Sequence, residues 1–305
     1  MKNRNQILIL SALLALAAVP FPAMGKTITA GSYREALENP SPGPAQAPVE
    51  TEAAEEQSRQ PSEQTMRFLV PDETSRHHVG KYAEPIFRVK TEKPQLALSF
   101  DAGADPGAAG TIMDILEKHQ ISSTFFLTGD WMDQNPETTK EIVRRAHEIG
   151  NHSVSHPSFP ALTREQMDDQ IQRTHQKALE LTGQNMCLFR FPYGDYSREA
   201  IDAVTGNGYF PIQWSVDSID WRNEGRQIIL DRVLNHKNLG SGSIILMHLA
   251  AAYTPSALEE LIVNLKDRGY EIVPVSQLIY EKNYHMDYAG NQIPEIEYKG
   301  NEDGV

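Results

Sequence analysis

Cysteine is almost missing from this chain of 305 residues: Cys187 stands alone, so no disulfide can form within the chain. Its apolar setting, Met186-Cys-Leu-Phe189, reads as that of a buried, inert thiol. Positive charge is scarce as well, with 28 Lys and Arg against 41 Asp and Glu and a formal net charge of -13. That balance argues against a polyanion-binding surface, and no nucleic acid partner is expected. The apolar run from Ile7 to Val19 is cut by Pro20 and Pro22 to a length short for a membrane span. No internal repeat is present, which leaves repeat architectures aside.

The same N-terminal run has a second reading. Lys2 and Arg4 form a basic start, Ile7 to Val19 an apolar centre, and Ala23-Met-Gly25 offers small residues of the kind a signal peptidase reads. Residues 1–25 are therefore expected to be a cleaved signal peptide, with an uncleaved anchor as the rival. The product would be secreted, in the cell envelope or periplasm, with no stable membrane insertion. No cysteine directly follows the cleavage point, where Lys26 stands, so a lipoprotein anchor is not expected.

Residues 26–92 are rich in Pro, Glu, Gln, Ala and Ser, as in Asn39-Pro-Ser-Pro-Gly-Pro-Ala-Gln-Ala-Pro48. Such a composition buries too little apolar surface to offset ordering entropy, and reads as a disordered tether. Met66-Arg-Phe-Leu-Val70 is the one piece suited to dock on a domain, and His77-His78 reads as incidental. Residues 281–305 read as a polar, acidic tail.

Residues 93–280 differ. Gln95 to Phe100 is an apolar run expected as a buried parallel strand, and Gly110 to Lys118 has helical apolar spacing. Ile121 to Thr128 is β-rich, and Asn135-Pro136 starts a helix expected to run to Glu148. Thr163 with Gln166 spells a capping box for a helix that Gly183 ends. Strands are expected at 188–191, 210–216, 243–247 and 271–275, with helices at 197–204, 227–235 and 254–266 between them. About seven βα steps argue for a parallel α/β architecture, a barrel or an open sheet.

In such architectures chemistry gathers at the carboxyl ends of the strands, and five stretches place reactive residues there. Ser99-Phe-Asp-Ala-Gly-Ala-Asp105 carries two carboxylates among small residues, unless they simply cap the next helix. His152-Ser-Val-Ser-His156 offers two imidazoles that can share one metal, or two surface histidines on a turn. Arg190-Phe-Pro-Tyr-Gly194 offers an arginine to pair with a carboxylate and a fixed turn whose N–H groups can face an oxyanion. In Asp217-Ser-Ile-Asp-Trp221, Asp220 can orient a histidine and Trp221 can wall a small apolar pocket. Ile244-Ile-Leu-Met-His248 ends on His248, placed as a general acid or as a structural histidine.

These five stretches, in this order, resemble the signature motifs of the polysaccharide deacetylases of the NodB-homology type, carbohydrate esterase family 4. The resemblance covers about Leu96 to Ile279. It implies an α/β fold, a distorted (β/α) barrel, that hydrolyses N-acetyl groups of N-acetylglucosamine-containing glycan with one divalent metal. Zinc is the first expectation, with cobalt, nickel or manganese as alternatives. It implies Asp101 as the base, His152 and His156 as metal ligands, and Arg190 as partner of the base. It further implies Tyr193 at the oxyanion hole, Trp221 and Leu246 as walls of the acetyl pocket, and His248 as the acid tuned by Asp220. The family's second aspartate, a metal ligand directly after the base, is here Ala102, and Asp105 is taken as its replacement. The rival readings are a non-catalytic carbohydrate-binding protein on the same fold and an O-acetyl esterase of the xylan type. Trp131 is a candidate to stack on a sugar ring or to pack in the core.

Overall fold

In a computed structural model the chain is described for residues 84–103 and 107–295. The expected signal peptide, Met66–Val70, His77, His78 and Asp105 lie outside the described residues.

Strands β1 (Arg88–Val89), β2 (Gln95–Ala102), β3 (Thr124–Leu127), β4 (Glu148–Asn151), β5 (Leu188–Phe189), β6 (Phe210–Pro211), β7 (Val216–Asp217), β8 (Ile244–His248) and β9 (Glu271–Ile272) come first in the chain. They are followed by β10 (Tyr284–Met286) and β11 (Asn291–Pro294). The main sheet runs β6-β5-β4-β3-β2-β8-β7, with β9 on the start of β2, and its pairings are parallel.

That order forces a curl. Strands β6 and β7 are the two edges, yet only residues 212–215 separate them in the chain. Such a link reaches about 18 Å, whereas six flat strand spacings need about 29 Å. The sheet therefore bends into the distorted barrel expected from the sequence. The expected single strand over 210–216 becomes two short edge strands for the same reason, because the link must turn from one edge to the other.

Helices cover the outside. Leu96, Leu98, Phe100 and Ala102 of β2 share one buried cluster with Ile112 and Leu116 of helix Ala109–Lys118 and Leu258 and Ile262 of helix Thr254–Asp267. The alternate residues of β2 face the interior: Ala97 joins a smaller apolar cluster with Phe126, Leu188, Ile212 and Ile244. Ser99 and Asp101, further along the same face, hydrogen-bond to Arg190. Over two steps the barrel interior thus changes from apolar to polar, and that change marks the functional end.

Local signals behave as the residues dictate. Thr163 and Gln166 form the capping box, and Gly183 ends helix Arg164–Thr182 in the left-handed conformation. The helix opened by Pro136 stops at Arg144, short of the expected Glu148. Ala146 takes a φ of 60°, and the chain turns directly into β4, an element not expected from the sequence. Helix Gly129–Gln134 is likewise unforeseen, and Trp131 within it is fully buried, which assigns that ring to the core.

Paired backbone extends beyond residues 93–280 at both ends. β1 pairs with β11, and β11 with β10, in a three-stranded sheet. Ile86 also bridges to Ile212 and is buried. The described parts of the expected tether and tail therefore contribute the strands Arg88–Val89, Tyr284–Met286 and Asn291–Pro294. Among the described residues no helix is long and apolar enough to cross a membrane.

Candidate active site

The carboxyl ends of the parallel strands surround a cleft of about 700 Å³. Asp101, His152, His156, Tyr193, Trp221, Leu246 and His248 line it, so the candidates implied by the five motifs converge on one place. Arg190 and Asp220 stand behind them, each fully or almost fully buried.

On one side, Arg190 Nη1 donates to Asp101 Oδ1 at 2.6 Å. Its Nη2 donates to Ser99 Oγ at 2.9 Å, and its guanidinium lies 4.0 Å from the centre of the Phe126 ring. Burial alone would raise the Asp101 carboxyl, but the charge and hydrogen bond of Arg190, with the charge of His248, outweigh it and hold the group below its ordinary value. Asp101 is thus an ionised carboxylate whose second oxygen lies 3.6 Å from His152 Nε2.

The histidine pair is held neutral. Burial depresses His152 to about 4 against the pull of Asp101, and burial also lowers His156. His152 Nδ1 lies 2.8 Å from the carbonyl oxygen of Arg190 and donates to it, which leaves the Nε2 lone pair facing the cleft. The two imidazole centres are 4.8 Å apart, and the Tyr193 ring stands edge-on to His156 at 4.4 Å. Tyr193 is 68% exposed at the rim, on a left-handed residue with φ of 60°.

On the other side, Asp220 Oδ1 lies 2.7 Å from His248 Nδ1. Asp220 Oδ2 accepts from the His248 backbone N–H at 2.8 Å and from Thr254 Oγ1 at 2.5 Å. Burial works against a charged His248, yet the hydrogen bond and charge of Asp220, with Asp101 and Asp217, raise it above its ordinary value. Trp221 is 55% exposed at the rim, and Leu246 is buried on the wall. Asp217, Trp214, Phe191 and Asn223 also line the cleft. Asp217 opens one of the quoted motifs, but nothing in its spacing showed that its side chain shares the cleft.

Two comparisons place the chain in a family. The polysaccharide deacetylase family model matches residues 88–212. The peptidoglycan-N-acetylmuramic acid deacetylase PdaA of Bacillus subtilis is 30% identical over 212 residues, covering 68% of this chain and 80% of that protein. The chain belongs to the polysaccharide deacetylase family. The solved structure of PdaA, a family 4 carbohydrate esterase, has a TM-score of 0.61 at 28% identity, covering 66% of this chain and 86% of that one. The uncharacterised protein YlxY of Bacillus subtilis is 33% identical over 198 residues, which span 65% of this chain and 61% of YlxY. BA3943 of Bacillus anthracis, described as a pseudoenzyme of the same family, has a TM-score of 0.62 at 31% identity, covering 69% of this chain and 73% of that one.

Deacetylases of this family are generally metal-dependent, and the residues here fit a metal in part. His152 and His156 are neutral imidazoles on one wall, and His152 has the Nδ1–H···O=C support typical of a metal ligand. The donor set does not close among the described residues, where no group of three or more His, Cys, Asp or Glu side chains is arranged to hold an ion. Ala102 supplies no donor, and by strand parity its methyl lies in the helix-facing cluster.

Proposed function

We propose that this polysaccharide deacetylase hydrolyses N-acetyl groups of an N-acetylglucosamine-containing glycan such as peptidoglycan. One observation carries the reading: Asp101 and His248 face the same cleft with their acidities pushed in opposite directions. A carboxylate held ionised and an imidazole whose charged form is favoured suit the base and acid that amide hydrolysis requires.

Asp101 takes a proton from the attacking water, and its Arg190 partner fixes the carboxylate in place. Water adds to the acetyl carbon, the C–N bond breaks, and acetate leaves. His248 gives its proton to the nitrogen, which departs as the free amine, while Asp220 holds the imidazole in position. Leu246 and Trp221, which line the cleft, would wall the pocket for the acetyl methyl group. His152 and His156 would hold a divalent ion, zinc as first choice, with Asp105 as third donor. When bound, such an ion polarises the carbonyl and makes water more acidic.

The runner-up reading is a glycan-binding protein without turnover. It is favoured by Ala102 and by the likeness to the pseudoenzyme BA3943. The deciding experiment measures acetate release from N-acetylglucosamine oligomers and from peptidoglycan, metal-stripped and with Zn²⁺ or Co²⁺, with Asp101→Ala beside it. Release that requires metal and vanishes in Asp101→Ala upholds hydrolysis. Glycan binding with no release under any metal overturns it in favour of the runner-up, and release from O-acetylated xylan alone would make the protein an esterase.

A further inference from the structure

Asn151 closes β4 and is fully buried just before His152. Two backbone groups fix its amide: Nδ2 donates to the Ile171 carbonyl at 2.9 Å, and Oδ1 accepts from the Ser153 N–H at 2.9 Å. The second Nδ2 hydrogen points to the Tyr209 hydroxyl at 3.2 Å. That hydroxyl lies 2.5 Å from His175 Nδ1, and His175 Nε2 lies 3.3 Å from Asn185 Oδ1.

The proton positions follow. Tyr209 already accepts from Asn151, so its own proton goes to His175 Nδ1. His175 is then the neutral tautomer with its hydrogen on Nε2, facing the Asn185 oxygen. Every hydrogen of the chain from Asn151 to Asn185 has an acceptor. Reversing the link between Asn151 and Tyr209 would leave a buried donor without one, at a cost that exceeds the gain of an ordinary hydrogen bond.

The other end of the chain is the turn that carries His156. Ser153, anchored through its N–H to Asn151, accepts the His156 N–H on its Oγ at 3.1 Å. Ser153 and His156 both hold left-handed backbone, with φ of 68° and 60°. Residues with a Cβ avoid that region, so the turn keeps its shape only while its surroundings hold it.

We infer that Asn151 and Tyr209 are positioning residues for His156, bearing on helix Arg164–Thr182 through Ile171 and His175. The bearing surface lies outside the five motifs and outside the cleft. Its consequence for activity rests on the proposed role of His156, whereas the placement of the ring can be measured without that role.

The test uses the full chain with Tyr209→Phe, His175→Ala and the double variant. Tyr209→Phe keeps the ring beside Phe189, 6.3 Å between centres, and deletes only the hydroxyl. Histidine-ring NMR of the metal-free proteins should show the His156 signals shifted or broadened in each variant, with the remaining spectrum native. Calorimetric Zn²⁺ affinity should fall about tenfold, the scale for losing an outer support of a metal ligand. The double variant should bind no more weakly than Tyr209→Phe alone, since both act through one path.

Unchanged His156 signals and Zn²⁺ affinity beside a lowered Tm would reduce Tyr209 to packing and overturn the inference. Additive losses in the double variant would also overturn it. If Tyr209→Phe does not fold, His175→Ala, on the half-buried face of a helix, carries the same readouts. If the wild type releases no acetate yet His156 responds, positioning stands and the hydrolase reading falls. If the wild type binds no Zn²⁺, the ring signals decide alone.

Discussion

Asp101 and His248 are register partners on the adjacent parallel strands β2 and β8. A ladder that spaces neighbouring strands about 4.8 Å apart therefore fixes the backbone separation of the two residues proposed as base and acid, independently of any loop. Each group has its own buried partner on the far side, Arg190 for Asp101 and Asp220 for His248. The sheet sets the separation and the two partners set the charges.

Breaking the first pair is expected to act differently from neutralising it. Arg190→Ala leaves a buried carboxylate without its counter-charge, and should cost about 3–5 kcal/mol in urea unfolding. Asp101→Asn keeps an acceptor for Arg190 and should cost less, while acetate release falls about a thousandfold with the base gone. The folded Asp101 carboxyl lies below its ordinary 3.8. Its stabilising share is therefore complete above that pH and is lost as pH falls through the lower folded value. Equal stability losses in the two variants would contradict this account of the pair.

With His248 as the proposed acid, the second pair is expected to govern the basic limb of the pH profile. His248 must be protonated to donate, and Asp220 raises its pKa above 6.5. The kcat/KM of the wild type should fall as pH rises through that raised value. In Asp220→Asn the charge is gone while an acceptor remains, so the basic limb should move to lower pH. A basic limb that stays in place would assign that titration to another group.

How much of this was legible in the sequence depends on what kind of link made it. The motifs at Asp101, Arg190, Asp217 to Trp221 and His248 were readable because each follows an apolar run, and parallel strands bring their carboxyl ends together, whereas His152-Ser-Val-Ser-His156 was readable only from its paired imidazoles. The capping box at Thr163 was readable because its bonds are local. β1, β10 and β11 were not, since their pairing is a backbone matter and their side chains look like linker. β4 was hidden because Glu148-Ile-Gly-Asn has neither alternation nor β-branched residues beyond one. Asn151 and Tyr209 are 58 positions apart, and no spacing rule announces a hydrogen bond between them. Trp131 was undecidable because an aromatic ring serves a core or a sugar equally well.

Acid should weaken the fold well above the pH at which carboxylates titrate. Burial lowers both His147 and His152 to about 4, from 6.5 when exposed. Below 6.5 the unfolded chain takes up protons that the folded chain refuses, so stability falls with pH until about 4 and then levels off. Each histidine contributes a loss on the order of 3 kcal/mol over that window. His147 lies away from the cleft, its Nδ1 accepting from Ser123 N at 3.3 Å. His147→Gln should therefore flatten the metal-free Tm profile between those limits while leaving activity at neutral pH intact. A profile as steep as that of the wild type would remove His147 from the explanation.

Gly150 links packing to chemistry most directly. A Cβ at this position would lie 2.6 Å from two ring atoms of Phe126 and 3.3 Å from the Leu188 carbonyl oxygen. The backbone of β5 cannot retreat without breaking the sheet, so the Phe126 ring must move. That ring is the face on which the Arg190 guanidinium lies, and Arg190 in turn holds Asp101. Gly150→Ala should therefore destabilise by about 1–3 kcal/mol through overpacking. It should also lower acetate release by more than that loss of fold explains, with kcat falling and KM nearly unchanged. Gly150→Ala combined with Phe126→Leu, which trims the clashing ring, should recover stability but not full activity, because the aromatic face under Arg190 is gone. Full recovery of kcat in the double variant would show that Phe126 serves only to fill space.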